Sequence, residues 1–287
     1  THKDGHWTAI TLNSEESPFV TRKFLLQKRL EYGGREATEY LIKVRGEFPS
    51  TISGFLMSRV DADKATRATP ALADDWGWVA LCDVGNGRDK SVLNIMKVSG
   101  QRTERVAVTH RLVEQDGSID PVRFADIIKA ECSEDLYPNI TIAIDSDGVG
   151  YDTATCCERY GLRVQRIRWG KRMHSTADKN RFFNQRAFAH IMMRDSIRSG
   201  RMRIDNNVKT AEQMAKLPCL INESGQWLMM AKKVMKEKLN ISSPDRSDTY
   251  CFSQIVNYIP ATMLVTEGMK AARSEMEEWV KKSMEEE

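Results

Sequence analysis

Three aspartates stand where α/β proteins commonly place catalytic acids. Asp83 ends the first predicted strand, in Leu-Cys-Asp-Val-Gly, and Asp145 ends the fourth, in Ile-Ala-Ile-Asp-Ser-Asp. Asp248 falls in the first turn of a later predicted helix, in Ser-Pro-Asp-Arg-Ser-Asp. Ionised carboxylates that converge repel one another unless they share a proton or bind cations. With three acids and oxygen ligands only, Mg²⁺ or Mn²⁺ is favoured over zinc.

Two hard cations about 3.5–4 Å apart suit phosphodiester hydrolysis, because one activates a water and the other stabilises the leaving 3′ oxygen. No nucleophilic side chain is then needed. Each acid alone has an ordinary structural interpretation as well: Asp83 and Asp145 as turn residues, and Asp248 as an acid that complements a helix dipole. Asp245 is interpreted as a helix cap. The joint occurrence of the three acids in one order of elements favours the catalytic interpretation.

The elements that position these acids are predicted from periodicity and turn residues. The predicted strands are Trp76–Val84, Ser91–Val98, Glu104–Val113, Asn139–Ile144 and Leu162–Trp169. Tight connections join the first three into an antiparallel meander. Helices beginning at Asp120-Pro121 and at Gly148 separate the later strands, which are expected to be parallel. The order predicts an α/β fold with a mixed sheet, in which the first and fourth strands are neighbours and Asp83 lies beside Asp145.

Three regions are expected along the chain. Residues 1–75 form a helical and linker extension, residues 76–262 the main α/β domain, and residues 263–287 a charged helical tail. Within the main domain, the later predicted elements are a long basic helix Thr176–Ser199, a helix Val208–Lys216, a hairpin of Pro218–Asn222 with Gln226–Lys232, and a helix from Ser243 to Tyr258. The chain opens without Met and is expected to be a piece of a longer protein.

The net charge of +3 conceals an uneven distribution. Between Arg159 and Arg203 there are 13 Lys and Arg but only two acids, so this segment carries +11 and the remainder −8. Such a basic segment indicates contact with a polyanion, although a solvated helix face explains the charge alone equally well.

Several classes of protein are disfavoured. No apolar run approaches the roughly 18 residues of a membrane span, and no signal peptide opens the chain. The six cysteines form no C-x-x-C pair and are expected to be buried thiols in a reducing compartment, and the five histidines form no zinc motif. The segment Gly85-Asn-Gly-Arg-Asp-Lys-Ser91 superficially echoes a phosphate loop, but Asp89 replaces the required glycine and a strand follows, so ATP hydrolysis is not expected.

These motifs together resemble the C-terminal part of the large subunit of phage terminases. The matching segments are Asp83-Val-Gly85, Ile144-Asp145 with Gly148-Val-Gly150, Arg181-Phe-Phe-Asn184 with Arg186-Ala, and Ser243-Pro-Asp-Arg-Ser-Asp248. Upstream, Val44-Arg-Gly-Glu-Phe-Pro49 resembles the segment that closes the ATPase domain of the family. The likeness covers roughly Trp7 to Tyr258. Where the family commonly has Ala after its last acid, this chain has Thr249.

The resemblance implies an RNase H-like endonuclease that cuts concatemeric double-stranded viral DNA during packaging. Asp83, Asp145 and Asp248 match the metal-ligand acids, which would hold two Mg²⁺ or Mn²⁺ ions. Asp89 matches an additional acid of some members, and Asp147 is an extra carboxylate that the family pattern does not require. The implied partners are double-stranded DNA and, in the full-length protein, the small terminase subunit and the portal, in the cytoplasm of the host cell. ATP would bind only through a domain upstream of this chain.

The basic segment then supplies candidate DNA contacts. Arg168, Lys171 and Arg172 follow the fifth predicted strand and are the strongest candidates for phosphate contacts. The remaining candidates are Lys179 and Arg181 in the basic segment and Lys232 and Lys233 at the end of the hairpin.

Three alternatives stay open. Another RNase H-like nuclease of the resolvase type is disfavoured by the Gly-Glu-Phe-Pro segment and the helices before the first strand. An actin-like or sugar-kinase ATPase normally needs two duplicated halves, and the sequence contains one. The third alternative is a non-catalytic DNA- or portal-binding module of a packaging motor.

Overall fold

The structure is a computed structural model that describes residues 11–31, 35, 38–47, 54–85, 87, 89–116 and 118–263. In these residues the strands are β1 (Gly77–Asp83), β2 (Ser91–Ser99), β3 (Val106–Gln115), β4 (Thr141–Asp145), β5 (Val164–Ile167), β6 (Met202–Arg203), β7 (Cys219–Ile221) and β8 (Trp227–Met229). The α-helices are α1 (Arg22–Glu31), α2 (Thr38–Lys43), α3 (Arg59–Ala65), α4 (Pro121–Glu131), α5 (Gly150–Arg159), α6 (Thr176–Arg181), α7 (Gln185–Arg198), α8 (Val208–Ala215), α9 (Lys232–Leu239) and α10 (Asp245–Phe252).

The main sheet has six strands in the order β5-β4-β1-β2-β3-β6. Strands β1, β2 and β3 are antiparallel to one another, whereas β4 is parallel to β1 and β5 is parallel to β4. The predicted mixed sheet and the predicted pairing of the first and fourth strands are therefore confirmed. The β1–β4 register pairs Cys82 with Ile144, so Asp83 and Asp145 follow directly at the same edge of the sheet.

Both faces of the sheet are covered, which explains why every residue of β1 is buried. Val79 and Leu81 face one apolar cluster with α7 and α10, while Ala80 and Cys82 face a second cluster with α4 and α5. A parallel strand covered on both faces reads as a continuous apolar run, as β4 does. The cysteines are free thiols, five of them buried and Cys156 partly exposed.

The predicted long basic helix is wrong as a single element. Phe182 adopts an extended conformation and forms a bridge to Trp227, which ends α6 after Arg181. Asn184 then caps α7, because its side-chain oxygen accepts a hydrogen bond from the backbone N–H of Ala187. The bridge to Trp227, a residue distant in the sequence, and the local cap at Asn184 together outweigh the helical periodicity of the segment.

The hairpin and the last helix are also shorter than predicted. Strand β8 ends at Met229, and Lys232 and Lys233 open α9 instead of ending the strand. Helix α10 ends at Phe252, where backbone hydrogen bonds of the turn type continue to Val256. The strand β6, a two-residue pairing with β3, is not predicted from the sequence.

Residues 54–65 join the core that follows them. Leu56, Met57, Ala62 and Ala65 are buried in the same cluster as α7 and α10. Nearer the start of the described chain, Arg35 holds the pKa of Glu15 near 2 by a two-pronged hydrogen bond. The division of the chain at residue 75 stays a prediction. Phe48-Pro49 and almost all of the tail 263–287 lie outside the described residues. None of the described helices is long and apolar enough to cross a membrane.

Helix α10 is the most buried helix that carries charge. Every residue of α10 is buried, and the helix packs against β1, β2, α7 and α8. Arg246 is 5% exposed, and its guanidinium donates to Glu114 at 2.6 Å, to Asp205 at 2.6 Å and to Thr210 at 2.8 Å. This network ties α10 to β3 and α8, and so fixes the helix that carries Asp248.

We expect Arg246→Met to lower the free energy of unfolding by about 3 kcal/mol, because it removes a buried guanidinium from the half-buried carboxylate of Asp205 and leaves that of Glu114 with Lys90 alone. Arg246→Lys should restore only part of the loss, since an ammonium lacks the planar fork that reaches three partners. Urea unfolding followed by circular dichroism measures both effects.

The matched control is Arg111→Met, which removes an exposed ion pair with Glu131. It should cost at most about 1 kcal/mol. Equal losses in the Arg246 and Arg111 variants would contradict a special role for the buried network.

Candidate active site

The three predicted acids meet at one edge of the sheet. Asp83 comes from the end of β1, Asp145 from the end of β4, and Asp248 from the first turn of α10. Asp83 is 5% exposed and Asp248 is fully buried. The charges of Asp145 and Asp248 both act on the carboxyl of Asp83, which indicates that the three groups are neighbours.

Lys232, the first residue of α9, places its ammonium between two of these carboxylates. Its Nζ lies 2.8 Å from Asp248 Oδ2 and 3.5 Å from Asp83 Oδ2. Lys233 instead lies within 3.9 Å of Glu237 on its own helix, and its side chain is 82% exposed. Of the two lysines that the sequence singles out at this point, only Lys232 reaches the acids.

Burial and neighbouring charges shift the pKa values of the three aspartates in different directions. Burial raises the pKa of Asp83 well above its usual value, and the charges of Asp248 and Asp145 add to this effect against the opposing Lys232. Burial also raises the pKa of Asp145, to about 6. At Asp248 burial acts in the same direction, but Lys232, a hydrogen bond from His190 and the charge of Arg186 outweigh it and hold the pKa well below the usual range.

The two weaker acid candidates lie at the margin of the site. Asp147 is exposed; its Oδ2 accepts a hydrogen bond of 2.8 Å from the backbone N–H of Trp169, and its own N–H donates to Asp145 Oδ1 at 3.1 Å. It therefore links the loop after β4 to the loop after β5. Asp89 is exposed in the loop before β2, where its charge acts on Asp245.

Asp245 does not have the role that the sequence suggests. It is the first residue of α10 and makes no capping bond there; its Oδ2 accepts a 2.9 Å hydrogen bond from the backbone N–H of Lys90. The residue is 7% exposed, and its charge contributes to the raised pKa of Asp83. Asp245 thus joins the start of α10 to the β1–β2 loop and adds a fourth acid near the site.

Glycines allow the backbone to approach closely on both sides of the acids. A Cβ atom at Gly85 would collide with the carbonyl oxygen of Asp89, and one at Gly150 would collide with the carbonyl oxygen of Asp145. Both positions therefore require glycine to keep the strand ends where they are.

Sequence reasoning missed two residues that contact or flank Asp248. His190 on α7 is fully buried, and its Nε2 lies 3.2 Å from Asp248 Oδ1. Arg186, one turn earlier on α7, donates from Nη1 to the carbonyl oxygen of Met230 at 3.1 Å. The sequence signal for His190 is a polar residue on the apolar face of α7, which also carries Ala187 and Ile191.

Thr249, the departure from the family pattern, has a clear structural reason. It is fully buried, and its Oγ1 donates to the carbonyl oxygen of Arg246 and accepts from Asn94 Nδ2 of β2 at 3.3 Å. The hydroxyl therefore pairs with a buried polar side chain that an alanine would leave without this partner.

The basic segment is only partly available for a ligand. Arg163, Arg166, Arg194 and Arg198 bond to groups within the protein. Arg168, Lys171 and Arg172 are exposed in the loop after β5, adjacent to Trp169 and hence to Asp147. Lys179 and Arg181 are exposed on α6, which the hydrogen bond from Gln226 to the carbonyl of Lys179 joins to the hairpin of β7 and β8.

The donor set is compatible with a hard divalent cation. Asp83 Oδ2 and Asp248 Oδ2 are buried and accept no well-oriented hydrogen bond, and in the described residues the cation near them is the Lys232 ammonium. In the described part of the chain, no three His, Cys, Asp or Glu side chains are spaced to hold a metal together in this conformation. The carboxylate oxygens are of the right type, but the position that a cation would take is partly filled by Lys232.

Comparison with known proteins identifies a relative of this chain. The chain is 50% identical over 280 residues to the probable terminase large subunit of Enterobacteria phage P7, an alignment that covers 96% of the chain. This chain is related to a phage terminase large subunit. It spans 56% of the length of that relative. No protein-family model matches the chain.

Solved structures of a terminase nuclease domain have the same fold as this chain. A variant of the nuclease domain of the large terminase subunit gp2 of bacterial virus Sf6, with manganese and β-thujaplicinol, superposes with a TM-score of 0.58 at 18% identity. It covers 71% of this chain and 99% of that one. The same Sf6 domain in another structure gives a TM-score of 0.54 at 15% identity, with the same coverage. The predicted resemblance and the predicted RNase H-like fold are confirmed.

The raised pKa of Asp145 gives a pH-dependent stability. The folded protein keeps a proton on this carboxyl up to about pH 6, whereas the unfolded chain releases it near the usual value of 3.8. The contribution of this group to stability is therefore complete below about pH 4 and is lost as the pH rises through 6. Asp145→Asn cannot lose a proton, and it keeps the acceptor for the Asp147 N–H.

In EDTA, we expect Asp145→Asn to match the wild type in stability at pH 4 and to exceed it by about 1–3 kcal/mol at pH 7. Denaturant unfolding at several pH values measures the difference. Two parallel stability curves would contradict burial of an uncompensated carboxyl at this position.

Proposed function

We propose that this chain is the nuclease part of a terminase large subunit and cuts double-stranded concatemeric viral DNA during genome packaging. The observation that carries the proposal is the convergence of Asp83, Asp145 and Asp248, in which two buried carboxylate oxygens accept no well-oriented hydrogen bond and face the ammonium of Lys232. A site that only stabilised the fold would not gain from burying acids in mutual repulsion. Perturbed carboxyl groups at a sheet edge are typical of catalytic centres.

Divalent cations are the proposed cofactors, Mg²⁺ or Mn²⁺, with two ions held by Asp83, Asp145 and Asp248. When bound, they would supply activation of the attacking water and stabilisation of the leaving 3′ oxygen. Manganese in the structure of the Sf6 nuclease domain supports this choice of cofactor. Asp89 and Asp147 are the weaker candidates, and Asp147 serves better as the group that holds the loop after β5.

In this proposal Lys232 has two roles, one in the absence of a divalent cation and one in its presence. Its ammonium compensates the buried acids in the absence of a divalent cation, with 2.8 Å to Asp248 and 3.5 Å to Asp83. With a divalent cation held by the carboxylates, the ammonium would be available to contact the phosphate under attack. Lys233, exposed on the same helix, is a candidate for a neighbouring phosphate.

DNA is proposed to approach along the exposed basic residues beside the site. Arg168, Lys171 and Arg172 are the principal contacts, because their loop is hydrogen-bonded to Asp147, whose own N–H donates to Asp145. Lys179 and Arg181 extend the basic surface on α6. Contacts of this kind neutralise phosphates without reading base sequence, so little sequence preference is expected.

The partners of the whole protein are also proposals, since the chain spans 56% of its relative. They are the small terminase subunit and the portal of the procapsid, in the cytoplasm of the host cell, with ATP bound by a domain outside this chain.

Asp83→Asn should lower cleavage of plasmid DNA in Mn²⁺ or Mg²⁺ by more than about 100-fold, because one metal-facing carboxylate is lost. The fold should be retained, since an amide resembles the protonated carboxyl that burial favours here. Agarose gels follow the conversion of supercoiled DNA to nicked and linear forms.

The control is Asp152→Asn, an exposed acid of α5, which should cut as the wild type does. No cleavage by the wild type at high protein concentration with either metal would refute the nuclease proposal. Full activity in a folded Asp83→Asn protein would remove this residue from the site.

Replacement of Lys171 and Arg172 by Ala should reduce the slope of log K against log salt concentration for DNA binding by about 1.8, or roughly 0.9 per lost phosphate contact. Fluorescence anisotropy of a labelled duplex at several salt concentrations measures the slope. A charge-matched control replaces Arg123 and Lys129 on α4, in the opposite helical layer, and should leave it unchanged. Equal slopes in all three proteins would exclude this loop from the DNA interface.

A further inference from the structure

His190 is a fully buried histidine with both ring nitrogens opposite oxygen atoms. Its Nδ1 lies 2.8 Å from the carbonyl oxygen of Arg186, and its Nε2 lies 3.2 Å from Asp248 Oδ1. The ring also stacks at a tilt against Trp169, with 5.7 Å between the ring centres. Its position is therefore set by its own helix on one side and by the indole on another.

The hydrogen-bond chemistry of these contacts is directional. A carbonyl oxygen can only accept, so Nδ1 must carry a proton and donate to Arg186. Nε2 forms the second hydrogen bond of the ring, with Asp248 Oδ1. Both ring nitrogens are thereby engaged, one by the backbone of α7 and the other by the carboxyl group of Asp248.

The two oxygens of Asp248 consequently have different surroundings. Oδ1 is taken by His190, whereas Oδ2 has no well-oriented hydrogen bond and faces the ammonium of Lys232. We propose that His190 is a positioning residue that fixes the carboxylate of Asp248 so that Oδ2 alone is presented to the cation in the site. In the metal-free protein this cation is Lys232. With a divalent metal bound the same oxygen would serve as the ligand, and that second part rests on the proposed nuclease function.

The packing of α7 against α10 holds His190 in a fixed position beside Asp248. Helix α7 packs directly on α10, and the partner of Nδ1 is a backbone atom of α7 that cannot rotate away. Hydrogen-bonded groups behind a metal ligand fix its orientation, and their loss typically weakens metal binding about 10–100-fold. His190 occupies that position behind Asp248, 58 residues away in the chain.

Two substitutions at this position separate the two hydrogen bonds. The amide nitrogen of Gln can reach the place of Nε2, so His190→Gln keeps a donor for Asp248. The shorter Asn can replace only Nδ1, so His190→Asn keeps the bond to Arg186 and loses the one to Asp248. The control is Ser196→Ala on the same helix, which removes a buried hydroxyl that bonds to Gln254 and not to Asp248.

The first arm uses the metal-free protein in EDTA and a double-mutant cycle with Lys232→Met. If His190 positions Asp248, replacing Lys232 changes the unfolding equilibrium constant less in the Asn background than in the wild type or the Gln background. With Ser196→Ala, the effects of the two substitutions should multiply. Independent effects for His190→Asn and Lys232→Met would overturn the proposal without reference to any metal. Should the Asn variant fail to fold, a Gln variant that has itself lost the coupling overturns it equally.

The second arm measures Mn²⁺ binding by calorimetry without DNA, so it does not depend on cleavage. We expect a dissociation constant about 10–100-fold weaker for His190→Asn and within about threefold of the wild type for His190→Gln. Equal weakening in the two variants would refute the role of Oδ1. If the wild type binds no Mn²⁺ while the coupling with Lys232 persists, the nuclease proposal fails and the positioning of Asp248 stands.

Discussion

Buried negative charge at one edge of the sheet is the constraint on which the rest of the site depends. The β1–β4 register brings Asp83 and Asp145 together, and α10 adds Asp248 in full burial. A buried carboxylate must be neutralised by a proton, a cation or hydrogen bonds. The elements around the site differ in which of these means of neutralisation they supply.

Helix α9 supplies a movable cation, and α7 supplies fixed donors. Lys232 has a long flexible side chain that is 38% exposed, and in the proposed function its ammonium leaves the carboxylates when a divalent cation binds. His190 is held by backbone and stays in place. This division allows one face of Asp248 to change its partner while the other remains constant. The Arg246 network performs a different task, because it ties α10 to Glu114 of β3 and to Asp205.

The sequence predicts those features that follow from strand order. Alternating and continuous apolar runs identify β1, β2 and β4, and their order alone makes Asp83 and Asp145 neighbours. Features that depend on a contact between distant segments are not predictable in this way. The break at Phe182 depends on Trp227, and the start of α9 at Lys232 follows an apolar run that also reads as a strand. The pairing of His190 with Asp248 depends on the rotation of one packed helix against another, which no local pattern encodes.

The late position of α10 in the chain has a consequence for biosynthesis. A nascent chain that ends before residue 232 contains β1 and β4, the two strands whose pairing places Asp83 beside Asp145. It has neither the lysine nor the last acid, and the apolar cluster against β1 lacks Tyr250 and Phe252. Both α9 and α10 lie in the last part of the described chain. The ribosome must therefore release nearly the whole of this region before Asp83, Asp145 and Asp248 can come together, and shorter translation products carry no complete set of these acids.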